Sequence, residues 1–245
     1  MMETFFTTSD KIQHIIKSFN LTKTLFVSSI LIGEPNTGKK TLASYLFPNA
    51  TLVSGEDQKE VELALEHYDE LIISDFEKLM NQRQLDFSNK RIIATANYVG
   101  NSSVIDELFA FIYTMPSLQE RPEDINFLAK KFIQEAQSTL LLEKNIINIE
   151  KIPLNLTQNN RSLKQSIYYH LSKQNMTIDD ISDMLYNHFY EHYEGNNNYR
   201  KHIKIFEKPL IEAGLKKYGS QFKLSNALGI NRNTLRKKIH EHHID

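Results

Sequence analysis

Short apolar runs bounded by turn residues recur through the first hundred positions of the chain. Phe26 to Ile32 is one, Leu71 to Ser74 a second and Arg91 to Thr95 a third. Each is too short for a buried helix, and the spacing predicts buried strands. Between them, Gln58 to Tyr68 places its apolar residues at helical spacing. Strands alternating with helices predict an α/β layer on a parallel sheet, with function at the strands' carboxyl ends.

Beyond Leu118 the strand signal fades and helical patterns take over. Thr177 with Asp180 forms a capping-box pattern, opening a helix with Ile178, Ile181, Leu185 and Phe189 on one face. The aromatic set Tyr186, Phe189, Tyr190, Tyr193 and Tyr199 is expected in the core of a helical layer rather than on a partner-binding stripe. Glu194-Gly-Asn-Asn-Asn198 is polar and turn-prone, a linker pattern. After Pro209, Leu210 to Tyr218 reads as a helix ended by Gly219, and Ser220 to Leu228 as a second ended by Gly229. Asn231 can cap a third, from Arg232 to about His242, with Leu235 and Ile239 inward.

Charge changes this picture. The 245 residues carry a formal net charge of -1, which on its own argues against a nucleic-acid binder. The charge is uneven. From Arg200 to Asp245 there are eleven Lys and Arg against four Asp and Glu, or +7, leaving 18 against 26, or -8, on the other 199 residues. An acidic body carries a basic tail. The chain has no Cys, so thiol catalysis, disulfides and thiolate metal sites are excluded. No signal-peptide pattern or 18-residue apolar stretch occurs, and a cytoplasmic, nucleoid-associated protein without membrane contact is expected.

The first apolar run leads directly into Gly33-Glu-Pro-Asn-Thr-Gly38-Lys39, then Lys40, Thr41 and a helical stretch. Strand, glycine loop and helix are the context of a phosphate loop. There backbone N–H groups and a helix start would meet phosphate, and Lys39 would reach the β and γ phosphates. Asp75, ending the second run, could hold Mg²⁺.

The tail reads as helix, glycine turn, basic helix, a helix-turn-helix. Arg232, Asn233, Arg236 and Lys237 would face outward near the amino end of the last helix, where side chains reach the major groove. Lys238 and Lys223 are expected on phosphates.

These residues carry a family resemblance. Glu207-Lys-Pro-Leu210, Gly219-Ser-Gln and Leu228-Gly-Ile-Asn-Arg-Asn-Thr-Leu-Arg-Lys-Lys238 resemble the Fis-type helix-turn-helix that closes bacterial enhancer-binding proteins. Phe222-Lys223-Leu224 departs from the small residues usual there. The body resembles the AAA+ core of sigma-54-dependent, NtrC-type activators. Leu31 to Lys39, the Walker B-like Leu71 to Asp75, Arg91 to Asn97 at sensor I, Met115 to Ile125, and Asn159-Asn-Arg161-Ser-Leu163 at sensor II carry that likeness.

The resemblance implies a P-loop AAA+-like sheet over residues 1–118, a helical lid over 119–193, a linker over 194–199 and a helix-turn-helix over 200–245. It implies nucleotide contacts from Gly33, Glu34, Gly38, Lys39, Lys40, Thr41, Asp75, Asn97 and Arg161, with ATP or ADP and Mg²⁺. DNA contacts are implied for Lys223, Asn231, Arg232, Asn233, Thr234, Arg236, Lys237 and Lys238. Double-stranded DNA is the implied partner, with another regulator or RNA polymerase beside it, and Phe206 to Leu215 pairs two copies.

Departures from the family are informative. The family's Walker B carries Asp-Glu, whereas Asp75 is followed by Phe76. Glu77 comes one residue late, and extended backbone would aim it at the opposite face. The two arginine-finger positions fall near Asn101 and Glu107, so no catalytic residue is assigned and negligible hydrolysis is expected. Neither the sigma-contacting Gly-Ala-Phe-Thr-Gly-Ala loop nor a receiver domain is expected. The alternatives are a compact ATP-hydrolysing activator and a Fis-like architectural protein. His188 with His192, and His240, His242 and His243, have metal-like spacings but are expected as surface residues.

Overall fold

A computed structural model describes residues 5–23, 25–142 and 147–244. Asp245, counted in the tail's charge, lies outside the described residues, as do Met1 to Thr4 of the leading segment. The chain forms two compact units, Met1–Asn175 and Met176–Asp245.

The first unit is built on five parallel strands: β1 Ser29–Ile32, β2 Thr51–Ser54, β3 Glu70–Ser74, β4 Arg91–Ala96 and β5 Phe111–Thr114, in the order β2-β3-β4-β1-β5. Ser29 stands opposite Ile93 on one side and Phe111 on the other, so β1, which leads into the phosphate loop, is an interior strand between β4 and β5. Alternation along the strands splits the apolar residues between two faces. Ile30, Ile32, Leu71, Ile73, Ile92 and Ala94 pack with Val61, Ala64 and Leu65 of α3 (Gln58–His67). Leu31, Ile72 and Ile93 pack with Ile12, Ile15 and Phe19 of α1 (Asp10–Thr22) and Leu42, Ala43 and Leu46 of α2 (Lys39–Leu46). Each fully buried Val, Leu, Ile or Phe among them contributes about 1.5–3 kcal/mol. After α4 (Ser102–Leu108), the helices α5 (Pro122–Thr139) and α6 (Asn160–Gln174) make a layer of their own. In it Ala129, Ile133 and Ala136 meet Leu163, Ile167 and Leu171 around Leu118 and Ile152.

The second unit is all helical: α7 Ile178–His192, α8 Asn198–His202, α9 Lys204–Tyr218, α10 Gln221–Leu228 and α11 Arg232–Glu241. Helix α7 opens on its capping box, with Thr177 Oγ1 accepting from Asp180 N at 3.1 Å and Asp180 Oδ2 from Thr177 N at 2.8 Å. None of its residues is buried. Tyr186, Tyr190, Tyr193 and Tyr199 are all exposed, which corrects the expectation of an aromatic core. Helical spacing reveals an apolar face but not what covers it. Helix α9 starts before Pro209 rather than after it. A proline inside a helix forgoes one backbone hydrogen bond and strains the preceding turn, and α9 tolerates this. Gly219 and Gly229 end α9 and α10 at φ 64° and 66°, where glycine is the unstrained choice. Ile211, Leu224 and Leu235 form the buried centre of α9 to α11.

Candidate functional site

At the carboxyl end of β1 the chain turns sharply over Gly33. Its N–H donates to Ala96 O at 3.1 Å, and a Cβ there would lie 2.4 Å from Met115 O, so no side chain fits. The loop closes at Gly38, φ 95°, which caps α2. Lys39 is consequently buried, and its ammonium donates to Gly33 O at 2.8 Å, Glu34 O at 2.7 Å and Asn97 Oδ1 at 3.1 Å. Burial lowers its pKa from 10.5 to about 8, against the opposing pull of Glu77, Asp75 and Glu34.

Asn97, at the end of β4, is the hub of this end of the sheet. Its Nδ2 donates to Asp75 Oδ1 at 3.3 Å and to Glu77 Oε1 at 2.7 Å. The expectation that Glu77 faces away therefore fails. Asp75 adopts φ 54°, and Phe76–Lys78 form a 3-10 turn, so the backbone is no longer extended where the alternation rule was applied. Phe76 is buried in the core, and Glu77 swings back beside Asp75.

A cleft of about 590 Å³ opens over the loop. Gly38, Lys39, Lys40, Thr41, Asp75, Asn97 and Arg161 all line it. Gly33 and Glu34 stand behind it: the Glu34 carboxylate accepts from Asn159 Nδ2 at 2.9 Å. Arg161, in the first turn of α6, is exposed at the rim, and the half-buried Lys164 lines the cleft beside it. Among the described residues no group of three or more His, Asp or Glu is arranged to hold a metal by itself.

In the second unit, Asn231 Oδ1 accepts from Asn233 N at 2.8 Å and so starts α11. Leu235 is fully buried, whereas Arg232, Asn233, Thr234, Arg236 and Lys237 are exposed, and so is Lys223 on α10. This is the outward basic face expected from the sequence. Lys238 differs: its ammonium pairs with Glu207 of α9.

Residues 203–242 match the profile of bacterial regulatory proteins of the Fis family. This unit carries a Fis-family helix-turn-helix. Comparison with curated proteins finds no match. Among solved structures, NtrX from Brucella abortus in complex with ATP has a TM-score of 0.56 at 14% identity, covering all of this chain and 71% of that one. NtrX in complex with ADP has a TM-score of 0.52 at 14% identity, covering 98% and 70%. The likeness shows the fold, a five-stranded parallel sheet with helices followed by an all-helical domain. No helix among the described residues is long and apolar enough to cross a membrane.

Three residues behind the loop, all inside runs quoted for the family likeness, were given no role in the sequence reading. Asn159, buried at φ 54°, donates to Glu34 and to Pro35 O at 3.0 Å and accepts from Leu118 N at 2.7 Å. Arg121 and Asp124 form a buried ion pair. Arg121 also donates to Thr37 O in the loop, and Asp124 accepts from Thr7 Oγ1 and Thr8 N, both at 2.7 Å. The run Glu120-Arg-Pro-Glu-Asp-Ile125 was the available signal, but its contacts span more than eighty residues of sequence.

Proposed function

We propose that this chain is a sequence-specific DNA-binding transcriptional regulator, acting on nucleoid DNA in the cytoplasm, whose acidic body binds ATP or ADP with Mg²⁺ without fast turnover. The observation that carries it is the exposed row Arg232, Asn233, Arg236 and Lys237 at the amino end of α11, standing on the buried Leu235. Arg pairs bidentately with guanine and Asn with adenine. Lys223 adds a charge for phosphate. Asn231 acts by capping the helix and Thr234 by standing on its exposed face.

Nucleotide binding is supported by the loop itself. Lys39 is desolvated among carbonyls and carboxylates, and a phosphate would replace the two loop carbonyls as its partner. Gly38, Lys40 and Thr41 would present the start of α2 to the phosphates, Asp75 would take Mg²⁺, and Arg161 would face the γ end from the rim. The bound metal would neutralise phosphate charge. NtrX, whose fold this chain shares, was crystallised with both nucleotides.

Homodimerisation is proposed through α9, where Phe206 and Leu210 stand 61% and 42% exposed. The α7 helix of the same unit leaves Ile181 and Met184 exposed as well. Another regulator or RNA polymerase is the proposed further partner.

Glu77 favours a second reading, the compact ATPase, because its carboxylate stands beside Asp75 and Asn97. The positions where fingers are expected, Asn101 and Glu107, argue against speed. Selection of duplexes from a random pool, followed by anisotropy titration, tests the DNA reading. An enriched site whose preference disappears in Arg232→Ala/Arg236→Ala supports it. Equal affinity for selected and random DNA at every salt concentration replaces it with the architectural alternative.

A further inference from the structure

Helices α9 and α11 share a small core. Three buried side chains, Ile211, Leu224 and Leu235, hold α9, α10 and α11 together. Units of this size gain little orientation from apolar burial alone. Across the gap between the first turn of α9 and the last turns of α11 lies a carboxylate with both oxygens engaged. Glu207 Oε1 takes the Lys238 ammonium, and Oε2 lies 2.9 Å from His242 Nε2. Lys238 and His242 are one helical turn apart, so a single carboxylate grips two rungs of α11. The three side chains are 20%, 30% and 10% exposed, well below the Lys237–Glu241 and Lys208–Glu212 pairs. Those two pairs run along their own helices and do not cross between them.

We propose that Glu207 is a positioning residue for DNA recognition, setting the angle of α11 against α9 through Lys238 and His242. The proposal rests on the DNA-binding reading above and reassigns one of its residues. Lys238 serves the angle of the helix rather than a phosphate. To reach DNA it would have to leave Glu207, abandoning a half-buried carboxylate next to an anionic backbone. If α9 joins two copies, the same bridge fixes the separation of the two recognition helices, and therefore the half-site spacing a dimer accepts.

The test uses the full chain and anisotropy titration against a selected duplex and a random one at several salt concentrations, for Glu207→Gln, Lys238→Gln and the double variant, with helix content checked by circular dichroism. Positioning predicts that each single variant weakens selected-site binding about tenfold, with the double variant no weaker than either single. Random-DNA affinity and the salt slope stay unchanged. A phosphate role for Lys238 predicts instead that Lys238→Gln weakens both duplexes alike and flattens the salt slope by about one, while Glu207→Gln tightens binding; that result overturns the proposal. If Glu207→Gln loses helix content, His242→Gln removes only the second contact. A partial loss of selected-site binding at constant salt slope then supports the proposal, and no loss overturns it. Wild-type protein that binds neither duplex overturns the DNA reading and this proposal together, whereas wild-type binding with additive single losses overturns this proposal alone.

Discussion

Asn97 Nδ2 donates to Glu77 Oε1 at 2.7 Å, tying a carboxylate three residues past β3's last residue into the same cluster as the Lys39 ammonium. This contact decides how the body is tested. Single-turnover assays with ATP and Mg²⁺ are expected to show slow hydrolysis that falls about a hundredfold in Glu77→Gln, within the range typical of a lost general base. Nucleotide affinity is expected to hold. Wild-type binding without any hydrolysis would assign Glu77 to structure instead.

The Lys39 ammonium gives a pH dependence. Burial lowers its pKa to about 8, so its positive charge is present below that pH and lost above it. Nucleotide affinity is therefore expected to be steady from pH 6 to about 7.5 and to weaken by roughly tenfold per unit well above pH 8. Isothermal titration across this range measures it. Lys39→Arg, which stays charged, is expected to flatten the alkaline limb even if its absolute affinity is lower.

Gly33 and Gly214 separate two kinds of crowding. A Cβ at Gly33 would meet Met115 O at 2.4 Å, a backbone atom that cannot rotate away, whereas at Gly214 it would meet the end of the flexible Leu224 side chain at 2.3 Å. Gly33→Ala is expected to cost at least about 3 kcal/mol and Gly214→Ala about 1 kcal/mol, the two ends of the overpacking range. Chemical denaturation with separate probes for the two units distinguishes them.

Arg121 and Asp124 are both essentially removed from water. Asp124→Asn leaves the guanidinium buried without its charge partner and is expected to destabilise the first unit by about 3–5 kcal/mol. Replacing both, as Arg121→Met with Asp124→Leu, is expected to cost less than Asp124→Asn alone, even though it changes more atoms. Urea unfolding of the three proteins checks the order.

What could be read from the sequence and what could not divides along physical lines. The strand ends, the phosphate loop and α11 were legible because each is encoded by consecutive residues: the apolar run into Gly33, the Gly38-Lys39 pair, the Asn231 cap before a basic helix. The strands β2 and β5 were missed, both at the sheet's edges: β2 has only Leu52 and Val53 as an apolar signal, whereas β5 sits in the unbroken apolar run Leu108 to Tyr113, a signal the reading passed over. Glu77 was misplaced by a rule that holds only for extended backbone, and one residue at φ 54° suspends it. The clamp of Lys238 by Glu207 joins residues 31 apart, and Asn159 reaches Glu34 across 125. Charge along the chain reveals neither. The outward face of α11 was legible, and the pairing of Lys238 with Glu207 was not.

Asn159 also bears on time. It holds Glu34 and the Pro35 carbonyl of the phosphate loop with one amide group and the Leu118 N–H with the same side chain's oxygen. Its neighbour Asn160 donates to Asn36 O at 3.2 Å. The loop is thus latched to the helical layer at the consecutive residues Asn159 and Asn160. If the latch sets how long a nucleotide stays in the cleft, Asn159→Ala is expected to speed its release, measured by displacement of a fluorescent ATP analogue.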